Sequence, residues 1–328
     1  MNSDPKVAFI IVSWNNSDLL PECFESIEKQ SYKNHITVLV DNGSKDDTVS
    51  MVKEKYPKVE LIDAGTNLGF AKGNNRGIEH ALKQYPSLEY CVFLNTDARL
   101  RDDWLGVMLD FAKRKPKLAL AQSITLDYYD HRIIDSTHIY ISQQGAGTQS
   151  GWRNPFRGYK GPRRVFGVNA AAALISCQFI SSQPYEHLLD ETLFMYLEDV
   201  DLAARATIMG WECYSVSGTE AYHMGSASSG KNPGYSLYMT YRNNLAVLYK
   251  NLPLTIFLKI IPKLIISDYY TIRHLRTLKK GYLAKQIIKG RLVGLLRLPL
   301  FIGSAIKIRH YRYAIDHTAL WDLMRTGE

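Results

Sequence analysis

A short polar stretch in the first third of the chain contains the first residues that could do chemistry. The mostly apolar run Tyr90–Leu94 is typical of a strand buried on both faces, and it ends abruptly at Asn95 and Asp97. Ligands of open α/β sheets collect beyond the carboxyl ends of the strands. A carboxylate fixed there can hold a divalent metal and, through the metal, a phosphate. The alternative is a helix start, because Asp102–Asp103 soon follows.

Three acids close together form a second candidate site. Glu198, Asp199 and Asp201 stand between an apolar run and a segment of strong helix formers. Acids at a helix N-terminus each stabilise the helix by roughly 0.3–1 kcal/mol. One acid would be enough for that, and three acids against an apolar wall repel one another. Glu198 and Asp199 project on different sides of a helix start, so one can serve chemistry while the other orients or binds a ligand.

A histidine further along the chain is the third candidate. His223 follows a predicted strand, Glu212–Val216, and Gly225 with the serines after it indicates a turn. A single histidine is more often an ordinary core or surface residue. Together, the imidazole of His223 and the carboxylate of Asp97 are acceptable ligands for Mn²⁺ or Mg²⁺, with phosphate oxygens and water completing the shell.

Alternating strands and helices must position these side chains. Apolar runs predict five strands, which are Val7–Ser13, Ile36–Val40, Val59–Ile62, Tyr90–Leu94 and Leu118–Gln122. The intervening helices are predicted from Ser17 or Asp18 to about Gln30, over Thr48–Tyr56, from the Asn67–Asn75 junction to near Tyr85, and over about Asp103–Lys115. This rhythm predicts an α/β fold with a mainly parallel sheet flanked by helices, and its polar junctions share the edge where a nucleotide would lie. No junction has dinucleotide or P-loop spacing, which argues against both of those sites.

The middle of the chain departs from this rhythm. Thr125–Arg164 lacks sustained periodicity, so we expect a long excursion from the sheet, with a hairpin as one arrangement. Val165–Ile175 is expected to return to the core, and Gly167 suits a close backbone approach there.

The composition bounds the class of protein. The chain has 328 residues with 46% hydrophobic and 22% charged content, which fits one large globular domain or two. Its four cysteines are widely scattered, which predicts a reducing compartment and argues against a disulfide framework or a zinc site. The polar N-terminus lacks signal-peptide anatomy.

Positive charge is concentrated at the C-terminal end. Residues 250–328 contain 15 Lys or Arg and 4 Asp or Glu, a net charge of +11, whereas the remainder has a net charge of −3. A basic tail on a mildly acidic body predicts contact with a polyanion, either nucleic acid or an anionic membrane surface.

Several short motifs occur in one order over about residues 5–250. They are IIVSWNN, VDNGSKDDT, NLGFAKGNNRGI, FLNTDA, GVNAAAALI, DETLFMYLEDVDLAAR, His223 with Gly225, and YRNNL. With them the chain resembles family 2 glycosyltransferases of the GT-A fold, and among these the bacterial rhamnosyltransferase-like branch that builds polysaccharides and O-antigens.

The resemblance implies roles for the catalytic and metal positions. Asp199 would be the general base, and Glu198 would contact the acceptor or steady that base. Asp97 matches the last acid of the family's metal-binding Asp-x-Asp, in which Asn95 replaces the first acid. His223 matches a metal ligand of related members, so the implied cofactor is Mn²⁺ or Mg²⁺.

The resemblance also implies a nucleotide-sugar site. Ser13 and Asp41 would hold the base and ribose, aided by the Asn67–Asn74 loop, and Arg242 would face the diphosphate. The residues expected to bind the nucleotide sugar are Ser13, Asp41, Asn67, Gly69, Asn74, Asn95 and Arg242.

The implied reaction is sugar transfer with inversion. A base deprotonates an acceptor hydroxyl, which attacks the anomeric carbon while the nucleoside diphosphate leaves. The expected donor is dTDP-rhamnose and the acceptor a glycan or lipid-linked saccharide. The nearest rival uses UDP-galactose, UDP-galactofuranose or a UDP-hexosamine, and a non-catalytic binder of nucleotide sugars or nucleic acid is the alternative from another class.

The basic tail, residues 251–328, is expected to be a helical extension of a catalytic domain formed by residues 1–250. Leu252–Ile266 and Leu292–Ile306 are strongly apolar, but proline and basic residues interrupt them before the ~18–20 residues of a spanning helix. This pattern is typical of interfacial helices on anionic lipid, and an ordinary helical bundle packed on the catalytic domain is the alternative. We therefore expect a cytoplasmic protein at the inner face of the cell membrane, with no nucleic-acid partner.

Overall fold

Strands and helices alternate through the first part of the chain. The computed structural model describes residues 6–225, 232–310 and 320–322. Its first elements are β1 Lys6–Ser13, α1 Leu20–Glu28, β2 His35–Asp41, α2 Thr48–Lys55, β3 Glu60–Asp63, α3 Gly69–Gln84, β4 Leu88–Leu94, β5 Ala98–Leu100, α4 Trp104–Ala112 and β6 Leu118–Asp127.

Short strands follow, and helices then dominate. The remaining elements are β7 Ile134–Ser136, β8 His138–Ile141, β9 Gly147–Ser150, β10 Arg163–Val165, β11 Ala172–Ser176, α5 Cys177–Ser181, α6 Glu198–Ile208, β12 Glu212–His223, α7 Pro233–Asn251, α8 Leu254–Thr277, α9 Gly281–Arg297 and α10 Ile302–His310. Glu191–Leu193 and Leu298–Phe301 are short 3-10 helices.

The central sheet has the strand order β10-β12-β6-β11-β4-β1-β2-β3, with β5 also paired to β12 and β7 to β6. The pairs among β1, β2, β3 and β4 are parallel, as is the pair of β6 with β12, whereas β11 runs antiparallel to β4 and β6. The predicted helix-flanked, mainly parallel α/β sheet is therefore confirmed. The predicted hairpin is formed by β8 and β9.

The side chains of β1 enter both layers of the core. Phe9 and Ile11 pack in a cluster with residues of α1 and α4, whereas Ala8 and Ile10 pack in a second cluster with residues of α3 and α5. A strand buried on both faces explains why the run 7–12 is apolar at every position.

The boundaries of two helices differ from the prediction. Helix α1 begins at Leu20 without a side-chain cap, later than predicted, and the backbone N–H of Ser17 donates to Asp46 in the neighbouring junction. Residues 69–75 are not a loop, because α3 begins at Gly69. A Cβ at Gly73 would lie 2.8 Å from Val12 Cγ1, and one at Gly77 would lie 2.6 Å from Ile10 Cγ2. These glycines therefore serve close helix–strand packing.

Two strands are longer than predicted. Strand β6 continues to Asp127, so the excursion begins later than Thr125. Strand β12 continues to His223, which is thus its last residue and does not lie in a turn after it. A register shift between Val216 and Glu220 lets β12 continue along β6 despite Gly218, which has a φ of +100°.

Helix α7 rests directly on α9. A Cβ at Gly290 would lie 2.6 Å from Tyr238 O, and one at Gly294 would lie 2.5 Å from Arg242 O. Residues of α6, α7, α8 and α10 share one hydrophobic cluster. Among the described residues, no helix combines the length and the apolar character needed to span a bilayer. The domain boundary at residue 250 stays a prediction.

Candidate active site

The predicted metal ligands lie next to each other at the end of β12. His223 Nε2 is 3.3 Å from Asp97 Oδ1, and His223 Nδ1 is 3.0 Å from Asp135 Oδ2. The N–H of Met224 donates to Asp97 O and fixes the loop that follows β4 against the strand end. Burial alone would lower the pKa of His223, but hydrogen bonds to Asp135 and Asp97 outweigh it and raise the pKa to about 10. A carboxylate oxygen and an imidazole nitrogen therefore converge, and the second imidazole nitrogen has a carboxylate partner.

Asn95 joins this group from the end of β4. Its side-chain Nδ2 lies 3.5 Å from His223 Nε2, and its backbone N–H donates to Ala171 O at 2.9 Å. The residue in the first position of the expected metal motif is thus beside the imidazole and is tied to the loop that leads into β11.

Ser13 and Asp41 end neighbouring parallel strands in register. The N–H of Asn42 donates to Ser13 O at 2.8 Å, which joins the two strand ends. Ser13 Oγ is buried and has no hydrogen-bond partner among the described residues. The Asp41 carboxylate accepts from the N–H of Ser44 at 2.9 Å and from its hydroxyl, so it also shapes its own turn.

The other predicted nucleotide-sugar residues belong to the start of α3. Asn67 Oδ1 accepts from the N–H of Gly69 at 2.9 Å, and Asn42 Nδ2 donates to Gly69 O at 3.0 Å. These contacts bring Asn67 and Gly69 to the edge that holds Asp41. Asn74 is buried within α3, where its amide donates to Phe70 O.

The segment before the acid cluster has an unusual backbone. Phe194, Tyr196 and Leu197 have φ values of 66°, 70° and 67°, in the left-handed region that non-glycine residues avoid. Such conformations cost roughly 1–3 kcal/mol each and persist only where surrounding contacts fix them. They lead directly into Glu198, the first residue of α6.

Side chains of α7 hold this segment. Asn243 Nδ2 lies 2.9 Å from the carbonyl oxygens of Leu193, Met195 and Tyr196, and Arg242 Nη2 lies 2.6 Å from Leu193 O. On the other side, the N–H of Ala71 in α3 donates to the carbonyl oxygen of Phe194. The backbone before Glu198 is thus clamped between α3 and α7, and the expected diphosphate contact of Arg242 stays a prediction.

A buried ion-pair network lies behind the acids. Lys250 Nζ lies 2.6 Å from Asp190 Oδ2 and 2.7 Å from Asp201 Oδ1, and Asp201 Oδ2 also accepts from Arg205 Nε at 3.1 Å. Lys250, Asp201 and Arg205 are almost fully inaccessible to solvent. Asp201 is therefore a structural acid, whereas Glu198 and Asp199 form no ion pair in the described part of the chain.

Burial separates the pKa values of the two remaining acids. Burial first, and the nearby charge of Asp199 second, raise the pKa of Glu198 to about 8. Burial also raises the pKa of Asp199, but backbone N–H groups, including those of Val200 and Ala170, limit the rise to about 6. Burial and mutual repulsion disfavour two negative charges here, and the N–H groups around Asp199 make that residue the favoured site of a single charge. Glu198 Oε2 has no hydrogen-bond partner among the described residues.

The acid cluster and the metal group are joined by one short stretch of backbone. Asp199 interacts with the N–H of Ala170, and the adjacent Ala171 accepts the N–H of Asn95 through its carbonyl oxygen. Because β11 is antiparallel to β4, its start lies at the carboxyl end of β4. Asp199, Asn95, Asp97 and His223 therefore gather at one sheet edge.

Four residues of this region were missed from the sequence. Asp135 lies 88 positions from its partner His223, and no pattern connects them. Asn243 stands beside Arg242 in YRNNL, but the motif does not reveal what α7 faces. Asn75 accepts the N–H of Leu189 and donates to its carbonyl oxygen, and Trp14, beside Ser13, is 52% exposed. Of these, only Trp14 had a local signal, since it follows a strand end.

Comparison with known proteins identifies the family to which the chain belongs. The model of the family described as "Glycosyl transferase family 2" matches residues 8–188. The chain is 26% identical over 226 residues to the N-acetylglucosaminyl-diphospho-decaprenol L-rhamnosyltransferase of Mycobacterium tuberculosis, covering 64% of this chain and 73% of that protein. It is 25% identical over 246 residues to the amylovoran biosynthesis glycosyltransferase AmsB of Erwinia amylovora, covering 72% of this chain and 76% of that protein.

Solved structures show the same fold at low identity. TarS residues 1–349 from S. aureus align with a TM-score of 0.54 and 15% identity, covering 97% of this chain and 91% of that chain. The mannosyltransferase PcManGT from Pyrobaculum calidifontis, in complex with GDP-Man and Mn²⁺, aligns with a TM-score of 0.54 and 15% identity, covering 98% and 88%. The fold is thus GT-A, and the family match extends over more than half of the chain. The chain belongs to glycosyl transferase family 2.

Proposed function

We propose that the protein transfers a sugar from a nucleoside-diphosphate sugar to a glycan or lipid-linked saccharide in cell-surface polysaccharide synthesis, with inversion at the anomeric carbon. The observation that carries this proposal is the link between Asp199 and the end of β4, through Ala170 and Ala171. A base and a diphosphate-binding group on one sheet edge can act on the two sides of one anomeric carbon.

Asp199 acts as the general base. Backbone N–H groups favour a negative charge on Asp199, whereas burial and the charge of Asp199 hold the pKa of Glu198 above that of its neighbour. Two carboxyl groups with separated pKa values can take different roles. Asp199 accepts the proton of the acceptor hydroxyl, and the hydroxyl oxygen attacks the anomeric carbon opposite the leaving group. Glu198 contacts the acceptor or steadies the base through Oε2, which has no hydrogen-bond partner in the described part of the chain.

The residues at the end of β12 fit a divalent metal. A carboxylate oxygen and a neutral imidazole nitrogen suit Mn²⁺ or Mg²⁺, so the ion would replace the proton that His223 Nε2 shares with Asp97. The bond from Nδ1 to Asp135 fixes the ring as in other metal-binding histidines. Asp97 and His223 would hold the ion, with Asn95 beside them. When bound, the metal offsets negative charge that grows on the leaving diphosphate.

The donor proposed first is dTDP-rhamnose, supported by the M. tuberculosis relative, whose name is that of an L-rhamnosyltransferase. Its name also contains a lipid diphosphate, which supports a similar acceptor here and a site of action at the inner face of the cell membrane. UDP-galactose, UDP-galactofuranose and UDP-hexosamines are the rival donors. Ser13 and Asp41 hold the base and ribose, and the exposed ring of Trp14 stacks on the base. Asn67 and Gly69 border this site, and Asn74 supports it from within α3.

A thermal-shift screen of nucleotide sugars, with and without Mn²⁺, tests the proposal, because a ligand of the folded state raises the melting temperature. The true donor should stabilise both the wild-type protein and Asp199→Asn. Turnover should fall roughly 10²–10⁴-fold in Asp199→Asn. Surface Asp130→Asn is the control and should keep full turnover. A protein that binds donor equally well but never consumes it would be a non-catalytic binder, and a protein that binds nucleic acid but no nucleotide sugar would refute the proposal.

A further inference from the structure

The outer faces of the C-terminal helices hold most of the exposed large hydrophobic side chains in the described part of the chain. On α8 these are Leu254, Leu258, Ile265, Ile266, Tyr269 and Tyr270. Their spacing places them on one half of the helix, whereas Ile256, Phe257, Ile260 and Leu264 on the opposite half are buried in the protein. Helix α8 is therefore apolar on both sides, and only one side is covered.

Helix α9 and the segment after it continue this pattern. Ile288, Leu292, Leu295 and Leu296 follow one another at intervals of four, three and one residues and lie along one strip of α9. Leu296 is 80% exposed, which is far more than core packing or a simple bundle requires. Leu300, Ile302 and Ile306 extend the exposed apolar surface into α10.

An ion pair aligns the two long helices. Arg291 Nε in α9 lies 2.6 Å from Asp268 Oδ2 in α8, and Arg291 Nη1 also donates to Asn244 Oδ1 in α7. The exposed residues Ile265 and Tyr269 are within one turn of Asp268, and Leu292 is adjacent to Arg291. The exposed apolar side chains of α8 and α9 therefore lie at the same height along the two paired helices.

The charge of the same segment decides which partner it fits. Residues 254–306 contain ten Lys or Arg and one acid, Asp268, which is bound to Arg291. Exposed Lys259 and Lys289 lie among the apolar side chains. A second copy of the chain would bring two strongly positive faces together, and a nucleic acid would match the charge but not the leucines and isoleucines. An anionic bilayer matches both, because it offers acyl chains beneath negative headgroups.

We infer that the exposed faces of α8, α9 and α10 form a docking surface for an anionic lipid bilayer. The aliphatic side chains enter the boundary between headgroups and acyl chains, the lysines contact headgroups, and the tyrosines occupy the interface with their hydroxyls toward water. The inference deepens the proposed function, since it names the surface that would bring the active site to a lipid-linked acceptor. Vesicle binding needs no sugar donor, so it is measured independently of transfer.

Flotation of the full-length protein with vesicles tests this surface. The chain should float with vesicles of phosphatidylcholine and phosphatidylglycerol, should bind neutral phosphatidylcholine vesicles much less, and should release the anionic vesicles as salt screens the charges. The double variant Leu292→Glu, Leu296→Glu should bind anionic vesicles at least about tenfold more weakly, because it places two charges at the lipid boundary. Its melting temperature should not change, since both side chains are exposed.

A matched control substitutes exposed aromatic residues elsewhere. Tyr129→Glu, Trp152→Glu changes two side chains that are 77% and 58% exposed outside these helices and should leave vesicle binding unchanged. Equal losses in both double variants, or wild-type protein that does not float with anionic vesicles, would overturn the inference. So would a wild-type dimer that Leu292→Glu, Leu296→Glu converts to monomer. Vesicle binding without any sugar transfer would refute the proposed function alone.

Discussion

The side-chain amide of Asn243 lies 2.9 Å from the carbonyl oxygen of Tyr196, two residues before Glu198. The same nitrogen lies equally close to Leu193 O and Met195 O. Phe194, Tyr196 and Leu197 have a strained backbone that no helix or strand of their own supports. One amide in α7 is thus a principal outside donor to the segment that carries the proposed base, which makes Asn243 a positioning residue.

Asn243→Ala should lower kcat more than it changes the KM for the donor. Without the amide, one buried and two partly buried carbonyl groups lose a donor. The strained segment then relaxes and Asp199 shifts from its position, which can cost roughly 10²-fold in rate. Steady-state kinetics at saturating metal would measure the split.

Asn244→Ala is the control for this variant. Asn244 is adjacent, buried and donates to Gly145 O, outside the base segment. Both variants should lose comparable stability, but only Asn243→Ala should show a fall in kcat larger than its loss of stability explains. Equal losses of kcat would reduce Asn243 to an ordinary packing residue.

Activity should fall in acid at an unusually high pH. Burial raises the pKa of Asp199 to about 6, and the residue can accept a proton only when it is ionised. The rate should therefore be full above this pKa and decline as the pH falls through about 6. A solvated aspartate would hold the rate down to about pH 4. The pH profile of kcat/KM checks the position of the acid limb, and a limb near pH 4 would contradict Asp199 as the buried base.

Substitution of Asp135 should weaken metal binding, although Asp135 is not itself a proposed metal ligand. Asp135 fixes the ring of His223 through Nδ1, and such partners typically contribute about 10–100-fold to metal affinity. Asp135→Ala should need correspondingly more Mn²⁺ for half-maximal activity, while excess Mn²⁺ should restore much of the rate. Asp130→Ala, in the same excursion but paired with Arg132, should leave the Mn²⁺ titration unchanged.

Gly69→Ala and Gly65→Ala separate backbone strain from contact with the base segment. Both glycines have positive φ, +79° and +68°, so each substitution should cost about 1 kcal/mol of stability. A Cβ at Gly69 would also lie 2.5 Å from Phe194 O, whereas one at Gly65 would meet nothing within 4 Å. Gly69→Ala should therefore lower the free energy of unfolding, measured in urea, by about a further 1–3 kcal/mol. It should also lose much of the activity. If both variants retained the same activity, contact between α3 and the base segment would not matter for catalysis.

The layout of the sheet was predictable because apolar runs and turn residues are local signals. β1, β2 and β4 lie within a few residues of their predicted positions, and Asp97 and Ser13 follow from those strand ends. The predicted start of α3 was wrong. Gly73 is typical of a loop in sequence, but in the structure it lets α3 pack closely on β1. Glycine occurs both in loops and where a helix packs closely on a strand, and only the packing partner distinguishes the two cases.

Contacts between distant segments were not predictable in the same way. Asp135 reaches His223 across the sheet from an excursion without periodicity, and Asn243 reaches Tyr196 from a helix whose neighbours the sequence does not specify. The acids at 198 and 199 were found, but their separate pKa values depend on burial and on the N–H of Ala170. The types of the reacting residues were therefore visible in sequence, whereas the groups that tune them required the fold.

The near-contact of Gly290 and Gly294 with the backbone of α7 limits how the gene can be cut or fused. A truncation after residue 250 would strip α7 of its companion while leaving every proposed catalytic side chain in place. A fusion of this enzyme to a foreign membrane anchor should therefore retain the chain through Arg297. Helix α9 packs against α7, which in turn holds the segment before the proposed base.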